Sequence, residues 1–333
     1  MVQLAKELNL SIGTVSKALQ DSYEISAKTK ERVLELAKKY NYRPNPFASS
    51  LRKGKSKSIA VVIPEIANDF FSLTVDAIQT FAIEKGYNVF VYVTHENLEN
   101  EIAVLRHLEA SQVDGIIMSM CSQAKDFYHI EAFCEQAQLP IVFFDRIAML
   151  DKYPRVITNN YEGAYQATNH LFKQGARSPL FLYNSEWIYI NTERLRGFKD
   201  AAEKHNFIVD EGRTVKCTED SDINYTIIHN ILTDKNPPDA IFTSVEKLAL
   251  TVYQVAIDLA LKIPQDFKVI SFSNLRTASL LNPSLSTIEQ PAYEMGEQSA
   301  KLLFKIIEKK FYRNANDIIT INSKLEVRNS TRI

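Results

Sequence analysis

The chain has 333 residues, a formal net charge of −1, and hydrophobic and charged fractions of 45% and 24%. That is an ordinary globular composition, long enough for two or three domains. No apolar run approaches a membrane span, and Met1 leads into a helical pattern rather than an apolar signal core, so neither membrane insertion nor secretion is expected. Cys121, Cys134 and Cys217, odd in number and widely spaced in apolar surroundings, read as buried free thiols of a cytoplasmic protein.

Charge is segregated along the chain. Residues 1–57 carry twelve Lys and Arg against five Asp and Glu, a net of +7, which leaves −8 on the remainder. A basic head on an acidic body is the footprint of a DNA-reading module joined to a soluble domain. In the head, Leu4, Ala5 and Leu8 place an apolar stripe on a first helix, and Val15, Ala18 and Leu19 place one on a second. Asn9-Leu10 supplies the turn, and Ser11 stands where a side-chain oxygen caps helix two. Ser11, Ile12, Gly13, Thr14, Ser16 and Lys17 are then the small, polar and cationic set at the start of that helix, with Gln20 at its end. Such a helix can enter a DNA major groove N-terminus first. A serine-capped helical hairpin fits the same local pattern, and the surrounding positive charge favours the DNA reading. Ser26 can cap a third helix running through Tyr40, with Val33, Leu36, Ala37 and Tyr40 on one face.

Next comes Arg43-Pro44-Asn45-Pro46-Phe47-Ala48-Ser49-Ser50-Leu51-Arg52-Lys53-Gly54. Asn45 is a good N-cap, Pro46 a good first helical residue, and Gly54 a good terminator. A helix of about eight residues is not stable alone in water and needs a partner. Ala48 and Leu51 offer it an apolar edge. One reading is a helical linker. The other is a hinge helix that folds when paired on DNA, with Asn45, Ala48, Leu51 and Arg52 as contacts and Leu51 wedged between base steps in the minor groove.

From Ser58 onward, short Val/Ile/Phe runs alternate with amphipathic stretches. Strands are predicted at 59–63, 89–93, 115–118, 141–144 and 156–157, then at 180–183, 214–217, 240–242, 269–272 and 286–288. Helices such as 72–85, 99–110, 163–173, 194–205 and 248–260 lie between them. This pattern means parallel sheet buried on both faces, and two doubly wound subdomains suit the strand count better than one open sheet. Ligands of such sheets bind beyond the carboxyl ends of the strands. The residues placed there include Asp69, Phe70, Phe71, Asp145, Arg146, Asn184 to Trp187, Glu246, Ser273 and Asn274.

Enzyme signatures are missing. The nine glycines are too dispersed to write a dinucleotide fingerprint or a P-loop, and no Gly-x-Ser-x-Gly elbow occurs. The six histidines lack metal-ligand spacing with each other or with cysteine. No catalytic residue, metal or cofactor is therefore expected.

The Leu4–Leu19 segment, Ser26-Ala27-Lys28-Thr29, Tyr42-Arg43-Pro44-Asn45 and the Ala48…Leu51 hinge resemble the headpiece of the LacI/GalR family of bacterial transcriptional regulators. The likeness continues in order through Asn68-Asp69-Phe70-Phe71, Phe144-Asp145-Arg146, Asn159–Ala164, Arg194–Phe198, Ile263–Asp266 and Leu285–Pro291. Family members usually carry a few more residues, often a capping Thr, ahead of helix one. Here helix one begins at or near Met1, so the DNA affinity of this chain is expected to be low.

The resemblance implies an all-α helix-turn-helix headpiece (1–44), a hinge helix and linker (45–57), and an α/β core (58–333) like that of periplasmic binding proteins. The core would comprise two doubly wound parallel-sheet subdomains, 58–158 with 290–318 and 159–289 with 319–333. The last strand, near 324–327, would belong to the second. The implied function is a sequence-specific transcriptional repressor, a homodimer on pseudo-palindromic operator DNA, whose affinity is set by a sugar-like effector between the subdomains. The competing reading is a two-lobed small-molecule-binding protein without DNA function. By resemblance Phe70 and Phe71 pack on the effector, Asp145 and Arg146 supply an acidic and a basic contact, and Arg194 clamps polar groups. Asn159, Trp187, Glu246 and Ser273 would complete the site. Where members often have Asp, this chain has Asn159 and Ser273, and a frequent Asn/Asp-Asp pair is replaced by Val245-Glu246. Ser and Asn accept hydroxyls less strongly than a carboxylate, so a less acidic pocket is expected.

Overall fold

A computed structural model describes residues 1–42, 56–110, 113–123, 127–137, 139–147, 153–184, 189–309 and 317–332. The chain divides into two units, Met1–Ser56 and Lys57–Ile333. The expected hinge contacts Asn45, Ala48, Leu51 and Arg52, and also Trp187, lie outside the described residues.

Three short helices build the first unit: α1 (Val2–Leu8), α2 (Ile12–Leu19) and α3 (Ala27–Lys39). None is long enough to persist alone, so their shared core decides the fold. Leu4, Ala5, Val15, Ala18, Val33 and Ala37 form it, with Leu8, Leu10, Ile25 and Tyr42 packed at its edge. Asn9 ends α1 in the left-handed region (φ 55°), which asparagine tolerates better than most residues. Ser11 then starts α2, its Oγ accepting the Thr14 N–H at 3.0 Å. Ser26 does the same for α3, accepting from the Thr29 N–H at 3.4 Å.

The second unit holds two six-stranded sheets. In the first lobe the strands are β1 (Ser58–Ile63), β2 (Asn88–Val93), β3 (Ile116–Met118), β4 (Ile141–Phe144), β5 (Arg155–Thr158) and β11 (Ile318–Ile321). Their order is β11-β5-β4-β3-β1-β2, and every pairing is parallel. The period-two alternation of β1 serves both faces. Ile59, Val61 and Ile63 pack under α4 (Asp69–Glu84) and α11 (Ala292–Lys309). Ala60 and Val62 pack under α5 (Leu98–Ala110) and α6 (Tyr128–Ala137). Helices α4 and α11 meet at Gly296, where an added Cβ would lie 2.3 Å from the Thr74 carbonyl oxygen.

The second lobe uses β6 (Pro179–Tyr183), β7 (Thr214–Lys216), β8 (Ala240–Thr243), β9 (Lys268–Phe272), β10 (Ser286–Glu289) and β12 (Lys324–Glu326). Their order is β12-β10-β9-β8-β6-β7, parallel except for the antiparallel β10–β12 pair. Phe181, Phe242 and Phe272 dominate the face covered by α7 (Asn160–Lys173) and α8 (Tyr189–Lys204), and Phe198 of α8 packs on them. Leu180, Leu182, Ile241 and Val269 line the other, under α9 (Ser221–Leu232) and α10 (Glu246–Asp258). Gly197 is the counterpart of Gly296: a Cβ there would come within 2.3 Å of the Tyr161 carbonyl oxygen.

The chain passes between the lobes after β5, after β10 and between β11 and β12. Side-chain amides tie these crossings together. Asn159 Oδ1 accepts from both the N–H (2.7 Å) and Oγ (2.8 Å) of Ser323. Gln290 donates through Nε2 to Asp145 (2.9 Å) and Thr158 (3.3 Å), while Asn274 donates to the Gln290 carbonyl at 2.6 Å.

Two sequence expectations need correction here. The return to the second lobe lies at 322–323 and not at 318–319, because Ile319 and Ile321 pack against the first-lobe core and hold β11 there. Helices α6 and α9 and strand β11 also escaped the sequence reading. Of the thiols, Cys121 and Cys217 are buried, whereas Cys134 is only half-buried. Burial pushes all three up to about 12, which disfavours the reactive thiolate.

Candidate DNA-reading face and interlobe cleft

The N-terminus of α2 is open to solvent. Ser11, Ile12 and Gly13 are exposed and Thr14 is half-buried. The free N–H groups of a helix N-terminus, with two hydroxyls beside them, suit phosphate contact. Ser11 and Thr14 are linked through their hydroxyls at 2.9 Å. An added Cβ at Gly13 would meet only Ser11 Oγ, at 3.6 Å, so the fold of the headpiece does not require glycine there. Lys17 and Gln20 are exposed, and Lys17 is ion-paired with Glu24. Ser16 differs from the rest of the set: it is 7% exposed and turned largely toward the headpiece core. Helical periodicity decides this, since Val15 and Ala18 define the buried stripe and Ser16, one position on from Val15, borders it.

In the second unit the strand ends of the two lobes face each other across a cleft. Phe70 and Phe71, in the first turn of α4, are aimed inward because the Asn68 side chain caps that helix, accepting from both of their N–H groups. Their rings meet edge-on at 5.2 Å and pack on Phe144. Asp145 and Arg146 follow β4, and Asp145 is held in the left-handed region at φ 55°. The Arg146 guanidinium stands over the Phe71 ring at 5.4 Å. From the second lobe comes Arg194, only 2% exposed. It donates from Nε to Asn160 Oδ1 (2.8 Å) and from Nη1 to the Ser244 carbonyl (2.6 Å), and it stacks at 3.7 Å on Phe272. Its Nη2 has no hydrogen-bond partner among the described residues, nor have the buried hydroxyls of Ser119 and Ser244.

The electrostatics separate the two arginines. Burial works against the Arg146 charge, but Glu96 and Asp145 outweigh it and hold the group above its ordinary value. Glu96 grips Arg146 at 2.5 Å and accepts the Ser122 N–H at 2.8 Å. Burial opposes the Glu96 charge too, and Arg146 with Ser122 reverses the balance, leaving this carboxyl below its ordinary value. Arg194 has no such partner. Burial pushes it down to about 10, with Asp145 opposing that shift and Arg146 adding to it. Glu219, past β7, is raised by burial and then by the charge of Glu96. It accepts from Asn184 (2.9 Å) and from Ser122 of the other lobe (3.4 Å).

The expected effector residues thus fall into three places. Phe70, Phe71, Asp145, Arg146 and Arg194 converge on the cleft. Glu246 and Ser273 form a second group: Glu246 accepts from Ser273 Oγ (2.9 Å) and the Asn274 N–H (3.1 Å) and is raised by burial, with Asp69 and Glu65 adding to the effect. Asp69 in turn accepts the Arg276 N–H at 2.9 Å, joining the lobes on that side. Asn159 is spent on the Ser323 crossing. The sequence reading missed Glu96, Glu219, Ser119 and Gln290. The strand-end rule that found Asp145 applies equally to Glu96 after β2 and Glu219 after β7. These carboxylates add acidic groups to the cleft beyond the residues read from the sequence. Away from the cleft, a groove of about 620 Å³ runs between α11 and β11, lined by Gln298, Lys301, Leu302, Lys305 and Asp317.

Two family descriptions match this chain: "Bacterial regulatory proteins, lacI family" over residues 1–45, and "Periplasmic binding proteins and sugar binding domain of LacI family" over residues 56–329. A ribose operon repressor of Halalkalibacterium halodurans is 31% identical, covering 99% of this chain and 96% of its own length. Catabolite control protein A of Priestia megaterium is 27% identical over 99% of this chain and 98% of its own. Among solved structures, a periplasmic binding protein/LacI transcriptional regulator from Alkaliphilus metalliredigens complexed with D-xylulofuranose is 28% identical. It has a TM-score of 0.71 and covers 83% of this chain and 99% of that one. With a helix-turn-helix unit and a two-lobed core both matched, the chain belongs to the LacI family of bacterial regulatory proteins, DNA-binding transcriptional regulators controlled by small-molecule effectors.

Proposed function

We propose that the chain is a repressor that acts as a homodimer on a pseudo-palindromic operator and is controlled by a sugar or sugar derivative held between its lobes. The DNA contacts are Ser11, Ile12, Gly13, Thr14, Lys17 and Gln20 from α2, with Ser16 at the margin, and Asn45, Ala48, Leu51 and Arg52 from the hinge. The observation that carries the effector reading is Arg194. A buried guanidinium with an unpaired N–H is costly unless something completes its hydrogen bonds. Here the nearby carboxylate of Asp145 and the Phe71 ring offer the acceptor and apolar face that a polyol needs. The ribose operon and D-xylulofuranose named for two relatives support a sugar. Dimerisation is supported by apolar side chains left at the surface of the core, among them Phe90 on edge strand β2 and Ile257 on α10, 41% and 69% exposed.

The test is Arg194→Gln. The variant is expected to bind operator DNA as the parent does and to lose its response to the effector that a thermal-shift screen of sugars identifies. A variant that responds as well as the parent would remove Arg194 from the site.

A further inference from the structure

Resting on the cleft being the effector site, we propose that Glu96 sets the effector's charge class: it occupies Arg146 so that negatively charged ligands are excluded and uncharged polyols are admitted. An arginine in a cleft is ordinarily the group that welcomes phosphate or carboxylate, since its planar fork matches both. Glu96 already supplies that carboxylate, at 2.5 Å, and its second oxygen is fixed by the Ser122 N–H at 2.8 Å. The pair is largely covered, with 11% of the Arg146 and 13% of the Glu96 side chain exposed.

The backbone shows that this placement is built. His95 and Glu96 both lie in the left-handed region, at φ 56° and 57°, which histidine visits more readily than most residues and glutamate does not. A conformation of that cost persists only where its surroundings hold it, and here they aim one carboxylate at one guanidinium. Two further carboxylates stand near the pair. Asp145 adjoins Arg146, and Glu219 reaches the same loop from the opposite lobe through Ser122. Three carboxylates stand against two guanidiniums. In a poorly solvated cleft an incoming phosphate or uronate meets net repulsion, whereas hydroxyls find acceptors on Asp145 and a donor on Arg194.

The experiment compares the parent chain with Glu96→Gln and Glu219→Gln by thermal shift and calorimetry. Its probes are inorganic phosphate at matched ionic strength and paired sugars such as ribose and ribose 5-phosphate or glucose and glucose 6-phosphate. Glu96→Gln is expected to gain at least about tenfold in phosphate affinity, because a buried, unpaired Arg146 gains a charge-assisted partner. Arg146→Gln in the same background should abolish the gain. Glu219→Gln, which removes charge without touching the pair, should give a smaller gain and covers the case in which Glu96→Gln does not fold. The parent should bind neutral sugars in preference to their phosphates. A parent that prefers a sugar phosphate, or glutamine variants with unchanged phosphate affinity, would overturn the proposal. If no sugar of either kind binds while the Arg146-dependent phosphate gain appears, the effector reading falls and the anion exclusion stands.

Discussion

Arg146 and Arg194 are both buried at one cleft, yet only one of them is neutralised where it stands. The difference extends to the carboxylates. Glu219 is forced upward from its ordinary value of 4.5, by burial first and then by Glu96. A carboxyl raised in the folded state favours folding most where it is protonated in both states, below the ordinary value. That advantage is lost as pH rises through the raised value. Glu219→Gln should therefore be more stable than the parent at neutral pH, with the difference vanishing in denaturant titrations below about pH 4.5. Glu96 runs the other way. Held below its ordinary value, it contributes stability present above about pH 4.5 and lost as pH falls through the lowered value. Equal pH profiles for the two glutamine variants would contradict this assignment of charges.

Among the elements, two glycines make opposite demands. Gly197 lets α8 touch the backbone of α7, so Gly197→Ala must push helices apart and should cost about 1–3 kcal/mol, read as a lower denaturation midpoint. Gly13 has room for a methyl group in the headpiece, and Gly13→Ala should stabilise α2 by up to about 1 kcal/mol. If the backbone of α2 approaches phosphate there, the same change weakens DNA binding while the headpiece melts later. Improved stability with unchanged DNA affinity would place the DNA backbone elsewhere. Elements were legible in proportion to how completely burial wrote them into sequence. Strand β4 is an unbroken Val/Ile/Phe run and β1 is apolar from Ile59 onward, and both are buried throughout. Edge strand β11 alternates exposed and half-buried residues and carries no such signal. The site was legible where strand ends carry aromatic and paired residues, as at Phe70–Phe71 and Asp145–Arg146. The Glu96–Arg146 pair was not, because it joins residues far apart in sequence through a left-handed bend that no composition announces.

At the scale of the molecule, the charge asymmetry and the two units make a quantitative demand on DNA binding. A dimer presenting two headpieces should select, from a random library, two half-sites in inverted orientation around a centre. Affinity should fall steeply with salt, and Lys17→Ala should flatten that dependence by about one unit if Lys17 leaves Glu24 for a phosphate. Recovery of a lone asymmetric half-site would argue for a monomeric reader. The crossings that bind the lobes together carry the other demand. Effector control requires the ligand to favour one lobe arrangement over another, and it is there, at Asn159–Ser323 and Gln290–Asp145, that such a difference would be felt.

The closing strands have a consequence for how the protein comes into being. β11 joins the first sheet beside β5, and β12 joins the second beside β10, within the last stretch of the chain. Ser330 then bonds to the backbone of both Val269 and Ser286, on β9 and β10. On a ribosome, which delivers the chain from its N-terminus, β5 and β10 lack these neighbours until the residues after 317 emerge. The headpiece core, complete by Tyr42, is available long before. A break in the chain just before β11 therefore takes a strand from each lobe and leaves the headpiece core untouched.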